Sequence, residues 1–280
     1  MRRAMLLPVF FGAAWLYGGA LAWAQQRPLT TEDPEVIGDG HVLIEAGVET
    51  GSNAWYPLSG LRGDRFAVPV GLCLGLGRYA ELQVDTGYNW LGIDSRQDAP
   101  LAFRVPADIT RTSDIMDVTV ATKLRMFAEG RHRPSLGVRF ATRLPNASNE
   151  SGLGLDTTDF YFSILSGKTI GSFRIVGNAG IGILGNPLIA TIQSDAFRGG
   201  LSVAHALTRT IDVVGEITGQ SVWFATVPPP GAEPLGEVRT GVRYTRRQLR
   251  FDGGMLFGLT ERSPDVGVIG GLTMVGTAFK

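Results

Sequence analysis

The sequence predicts an all-β chain: a transmembrane antiparallel up-and-down β-barrel of about 12 strands behind a cleaved signal peptide. Three observations predict it. An uncharged leader opens the chain, segments of period two carry charge on one side only, and long connections alternate with short ones. Composition agrees with them. Gly makes up 38 of 280 residues, poor for helices and common in tightly curved sheet. Lys+Arg 26 against Asp+Glu 26 leaves no basic excess, and so no nucleic-acid partner. The single cysteine, Cys73, excludes a disulfide framework and a Cys-rich metal site.

The leader comes first. Met1-Arg2-Arg3 is basic, Ala4 to Leu21 is uncharged, and Ala22-Trp23-Ala24 presents small residues at the two positions a signal peptidase reads. Residues 1–24 are therefore expected to be a signal peptide, 25–40 a periplasmic N-terminal segment, and 41–280 the outer-membrane barrel. No later stretch is apolar for long enough to span a membrane as a helix, so any crossing must be made by strands.

Alternation supplies the strands. In Glu81 to Trp90, Glu81, Gln83, Asp85, Gly87 and Asn89 share one face; Leu82, Val84, Thr86, Tyr88 and Trp90 share the other. The same reading gives strands over 41–50, 65–76, 80–91, 114–127, 134–143, 158–168, 173–185, 194–206, 210–221, 236–245, 249–259 and 265–279. Their polar faces carry Glu45, Glu49, Glu81, Asp85, Asp117, Asp159, Asp212, Glu216, Glu237 and Asp252 against Lys123, Arg125, Arg139, Arg143, Arg174, Arg198, Arg239, Arg243 and Arg250. Apart from Glu45 and Glu49 on the first strand, these are the candidates to line the lumen. The opposite faces are almost free of charge.

A soluble sandwich also separates faces, so the connections decide. Long links at 51–64, 92–113, 144–157, 186–193, 222–235 and 260–264 alternate with short ones at 77–79, 128–133, 169–172, 207–209 and 246–248. Transmembrane barrels show that asymmetry, with short periplasmic turns and long outer loops. Tyr88, Trp90 and Trp223-Phe224 fall at the outer ends, and Tyr79, Phe127, Phe173 and Phe251 near the short turns, as two interfacial girdles would.

Three stretches and the chain's close resemble an outer-membrane transporter family labelled meta-pathway phenol-degradation proteins. They are Arg27-Pro28-Leu29-Thr30-Thr31-Glu32-Asp33-Pro34; Arg65 to Leu72 leading through Gly77-Arg78-Tyr79-Ala80-Glu81-Leu82; and Leu144-Pro145 with Gly152-Leu153-Gly154 and Asp156. The close is Ser263 to Gly267 followed by Gly270-Gly271-Leu272-Thr273. The resemblance implies an outer-membrane β-barrel with a transport role. Its partners would be outer-membrane lipids, the barrel-assembly machinery and a small-molecule solute that the sequence does not name.

No catalytic, metal or cofactor motif emerges. A lipid-cleaving barrel needs a Ser and a His in reach of each other, and none of His41, His132 and His205 has a Ser at the spacing that shares a strand face. Asp94, Asp98 and Asp108 read as solvated loop acids. The expected function is a channel or transporter for small solutes through a charge-lined lumen. The alternative is a non-conducting structural or binding barrel working through loops 51–64, 92–113 and 222–235.

Overall fold

The computed structural model describes residues 27–222 and 228–279. The leader expected over 1–24 and the aromatic pair Trp223-Phe224 lie outside the described residues. The strands are β1 (His41–Tyr56), β2 (Leu61–Leu76), β3 (Ala80–Arg96), β4 (Arg111–Ile115), β5 (Val118–Phe127), β6 (Ser135–Leu144) and β7 (Asp159–Ile170). They continue with β8 (Phe173–Gly185), β9 (Gln193–Ala206), β10 (Ile211–Val222), β11 (Leu235–Arg246), β12 (Leu249–Gly258) and β13 (Val266–Thr277). Successive strands pair antiparallel, with β4 and β5 both set against β3, and β1 pairs with β13 from His41–Thr277 to Glu49–Ile269. That last pairing closes a 12-strand barrel.

Thirteen segments make 12 staves because the strand expected over 114–127 breaks at Met116-Asp117. β4 pairs with the outer part of β3, Tyr88 to Gly92, and β5 with its inner part, Ala80 to Asp85. At the break the Met116 N–H donates to the Gly87 carbonyl at 2.9 Å, and Asp117 accepts from the N–H groups of Asn146 and Ala147, both at 3.0 Å. Asp117 thus ties a loop down where alternation alone saw continuous strand.

A second correction concerns the first outer link. The expected long connection over 51–64 is only the turn at 57–60, because β1 and β2 run on as a hairpin beyond a bulge between Gly51 and Ala54. Asn53, at φ 55°, sits in that bulge and breaks the alternation that would have revealed the strand. Elsewhere, links at 97–110 and 145–158 on one end face short ones at 77–79, 171–172 and 247–248 on the other.

The side chains sort as period two requires. Ile44, Val48, Val70, Leu72, Val242, Val268 and Leu272 point outward and are exposed. An apolar surface of that extent around a whole barrel belongs in hydrocarbon. Exposed Tyr88 and Trp90 pack ring to ring at 4.6 Å near the outer end, while Tyr79, Phe127, Phe173 and Phe251 are exposed near the short turns.

Candidate functional site: the occupied lumen

Strands of this barrel present Glu81, Gln83, Lys123, Asp159, Glu216, Arg239, Arg243 and Arg250 to the interior, where all are buried. What buries them is the chain's own start. Residues 25–40 were expected to lie on the periplasmic side; of the described part, 27–40, residues 27–37 instead cross the lumen. The physical reason is that the segment carries the charges the wall requires.

Its path can be followed contact by contact. The Arg27 guanidinium lies 3.7 Å from Asp252 on β12 and donates to the Gly270 carbonyl of β13, while Arg243 of β11 donates to the Arg27 carbonyl at 2.8 Å. Thr30 and Thr31 then meet Glu216 of β10. Their backbone N–H groups donate at 2.7 and 2.8 Å and their hydroxyls at 3.0 and 2.5 Å. The Glu32 N–H donates to Asn178 of β8 at 2.7 Å. The Glu32 carboxylate pairs with Arg139 of β6 at 3.0 Å and Lys123 of β5 at 3.3 Å. Asp33 takes Arg174 at 2.7 Å and Glu35 takes Arg125 at 2.6 Å. The Ile37 N–H ends the crossing on Glu81 of β3 at 2.9 Å. Ile37 packs with Leu43, Cys73 and Val275 in an apolar cluster. Gly38 and Gly40, at φ +92° and +66°, then turn the chain into β1, a conformation that L side chains disfavour.

Wall glycines make room for this segment. A Cβ on Gly47 or on Gly271 would run into the Arg27 guanidinium, and one on Gly241 would press on Pro28 at 3.0 Å. Part of the glycine excess thus lies against the lumen segment, while backbone carbonyls of the neighbouring strands also crowd Gly47 and Gly241.

The other expected lumen candidates fall into place around it. Lys123 has a side chain 0% exposed and also pairs with Glu81, itself 0% exposed, at 2.9 Å. Arg139 lies 3.9 Å from Asp85, and Arg143 bridges Asp117 at 3.7 Å and Asp159. Arg239 pairs with Glu237 at 2.9 Å and Glu49 at 3.2 Å. Asp212, Arg243 and Asp252 stand side by side across β10, β11 and β12, and Arg250 donates to Thr245 at 3.2 Å. Arg198 stands apart, over the Tyr161 ring at 4.4 Å. Beside it a cavity of about 270 Å³ lies between Thr30 to Glu32 and strands β6 to β11.

Sequence reasoning missed Glu32, Asp33, Glu35 and Thr31. The signal was present: three acids within four residues just before the first strand, in a chain whose lumen would need counter-charges. Outside the lumen, Ser172 reaches His205 at 3.2 Å across the next hairpin, a pair that in-strand spacing did not reveal. The His205 ring stacks on Phe173 at 4.3 Å. Among the described residues no group of three or more His, Cys, Asp or Glu could hold a metal ion.

An outward apolar band around a polar, self-occupied interior defines a transmembrane β-barrel of the outer-membrane type. The family model described as the MetA-pathway of phenol degradation, Phenol_MetA_deg, matches residues 25–265, and the chain belongs to that family. No curated protein matches in sequence. Among solved structures, the COG4313 outer membrane channel from Pseudomonas putida F1 is similar with a TM-score of 0.62 at 11% identity, over 87% of this chain and 98% of that one. The NanC porin is similar with a TM-score of 0.51 at 8% identity, over 85% of this chain and 100% of that one. At such identities the likeness is one of fold.

Proposed function

We propose that the chain is an outer-membrane channel or transporter that passes small solutes along its charge-lined lumen, with residues 27–37 as the constriction. The observation that carries this reading is the interior itself. Part of its charge is met by the N-terminal stretch of chain that crosses it, and a cavity remains beside that stretch. Fixed charges along a narrow aqueous path set which solutes enter it. The inward carboxylates and guanidiniums, from Glu81 on β3 to Asp252 on β12, are the groups that would do so. Support also comes from the fold shared with proteins described as an outer membrane channel and a porin. Outer-membrane lipids would cover the apolar band, and the barrel-assembly machinery would insert it.

Planar-bilayer conductance tests the reading. The whole protein should give small single-channel steps, and a variant lacking residues 27–37 should give steps several-fold larger, with heat-modifiable gel migration reporting that its barrel is folded. One observation favours a second reading, a non-conducting barrel that acts through its outer loops: every acid of the segment is matched by a wall cation. Absence of current from both folded proteins would select it.

A further inference from the structure

We infer that the cavity beside the lumen segment is a binding site for a small carboxylate, with Arg198 as the group that recognises it; the inference rests on the reading of the lumen as a solute path. Arg125, Arg139, Arg143, Arg174 and Arg239 each meet a carboxylate within ion-pair distance. Arg198 meets none among the described residues. Among the described residues its close partner is the face of the Tyr161 ring, 4.4 Å from the guanidinium carbon. An aromatic face attracts a cation but leaves its in-plane N–H donors free.

Those donors face a space with room for a ligand. The cavity, about 270 Å³, is bounded by Arg198 and by Thr30 and Glu32 of the lumen segment. Two carboxylates border it, and neither is available to Arg198. Glu32 is engaged by Lys123 and Arg139, and Glu237 lies 2.9 Å from Arg239. The cavity therefore has an uncommitted cation and no uncommitted anion. Thr218 and Gln220 add hydroxyl and amide groups on β10, and Leu165 and Leu235 add apolar surface. A guanidinium offers two parallel N–H donors that match the two oxygens of one carboxylate. The ligand class that fits is thus a compact monocarboxylate with a short apolar body. Binding would supply the counter-charge that the wall withholds from Arg198 alone.

Butyrate and its neutral isostere butyramide are suitable probes, titrated by calorimetry into the whole folded protein in detergent. Saturable binding of butyrate, at least tenfold weaker binding of butyramide, and at least tenfold loss of butyrate affinity in Arg198→Gln are expected. Equal binding of the two probes, no saturable butyrate binding, or an unchanged Arg198→Gln would overturn the site. Should that variant fail to fold, phenylglyoxal labelling of the wild-type protein decides. Butyrate should protect Arg198 from modification, and unprotected labelling refutes the proposal. Binding without conductance would end the channel reading and leave the site standing, whereas conductance without binding would do the reverse.

Discussion

The two halves of the lumen solve the same electrostatic problem in different ways. On β5, β6 and β8 the wall presents Lys123, Arg125, Arg139 and Arg174, and Glu32, Asp33 and Glu35 of the lumen segment meet them. On β1, β2 and β10 to β13 the wall largely serves itself. Arg239 pairs with Glu237 and Glu49, and Arg65 pairs with Glu49 at 3.2 Å. There the segment contributes Arg27 to Asp252, and N–H and hydroxyl donors to Glu216. The difference teaches that the segment is matched to the wall in order, basic first, then neutral donors, then acidic. Near-balance of acids and bases over the whole barrel conceals a half that is locally basic until its own N-terminal chain neutralises it.

The largest effect that could break this comparison is at Lys123. Its ammonium lies between Glu81 and Glu32 with no exposed side chain, so Lys123→Met would leave the buried Glu81 without a cation and Glu32 with Arg139 alone. Removing one partner from a buried ionic group costs about 3–5 kcal/mol. Urea unfolding of the barrel in lipid vesicles should show a loss of that order. Adding Glu81→Gln should recover most of it, since Glu32 keeps Arg139. A loss below about 1 kcal/mol in the single variant would mean that the basic half does not depend on these pairs.

How far could this be read beforehand? Period two in Glu81 to Trp90 and in Asp117 to Met126 placed Glu81, Asp85, Lys123 and Arg125 on one face, because alternation in a strand is dictated by backbone geometry. Ion pairs across the lumen are another matter. Arg174 and Asp33 are 141 residues apart, and which wall cation meets which segment acid depends on barrel registers that no local pattern encodes. The occupied lumen was missed for a related reason. A polar stretch ahead of the first strand has the composition of a linker, and only a count of uncompensated inward cations on one half would have called it inside. Asn53 and Met116-Asp117 failed differently, since bulges and breaks depend on what a neighbouring loop donates.

A smaller effect sharpens the comparison from the other half. Glu216 is buried and accepts four donors from Thr30 and Thr31. Glu216→Gln keeps the shape but turns one acceptor oxygen into an NH₂ that faces donors, a loss of about 1–3 kcal/mol. In the variant lacking residues 27–37 those donors are gone and Arg239 remains at 3.9 Å, so the same substitution should cost clearly less. Unfolding of the four proteins forms a cycle that isolates the segment's share. Equal costs in the two backgrounds would place the partner of Glu216 in the wall.

The smallest effect lies at the periplasmic rim of the basic half, where Arg174 links the segment to the 128–134 turn. Arg174 holds Asp33 at 2.7 Å and Glu129 at 2.7 Å, and Glu129 also accepts from the Thr169 N–H at 2.8 Å and pairs with Lys168 at 2.9 Å. Burial pushes the Glu129 carboxyl up, but the Thr169 N–H, Lys168, the Thr169 hydroxyl and Arg174 outweigh it and hold the group below its ordinary 4.5. A carboxyl whose folded value is depressed adds stability above its unfolded value and loses it as pH falls through the folded one. The gap between wild type and Glu129→Gln should therefore be constant from about pH 7 to 5, about 1 kcal/mol as for a hydrogen-bonded surface charge, and should close as the pH is taken below 4.5. Asp33 still holds Arg174 in the variant, so conductance at pH 7 should be the same in both proteins. A gap that stays open at pH 3 would show that Glu129 acts through packing and not through its charge, and that the rim does not share the electrostatic logic of the lumen above it.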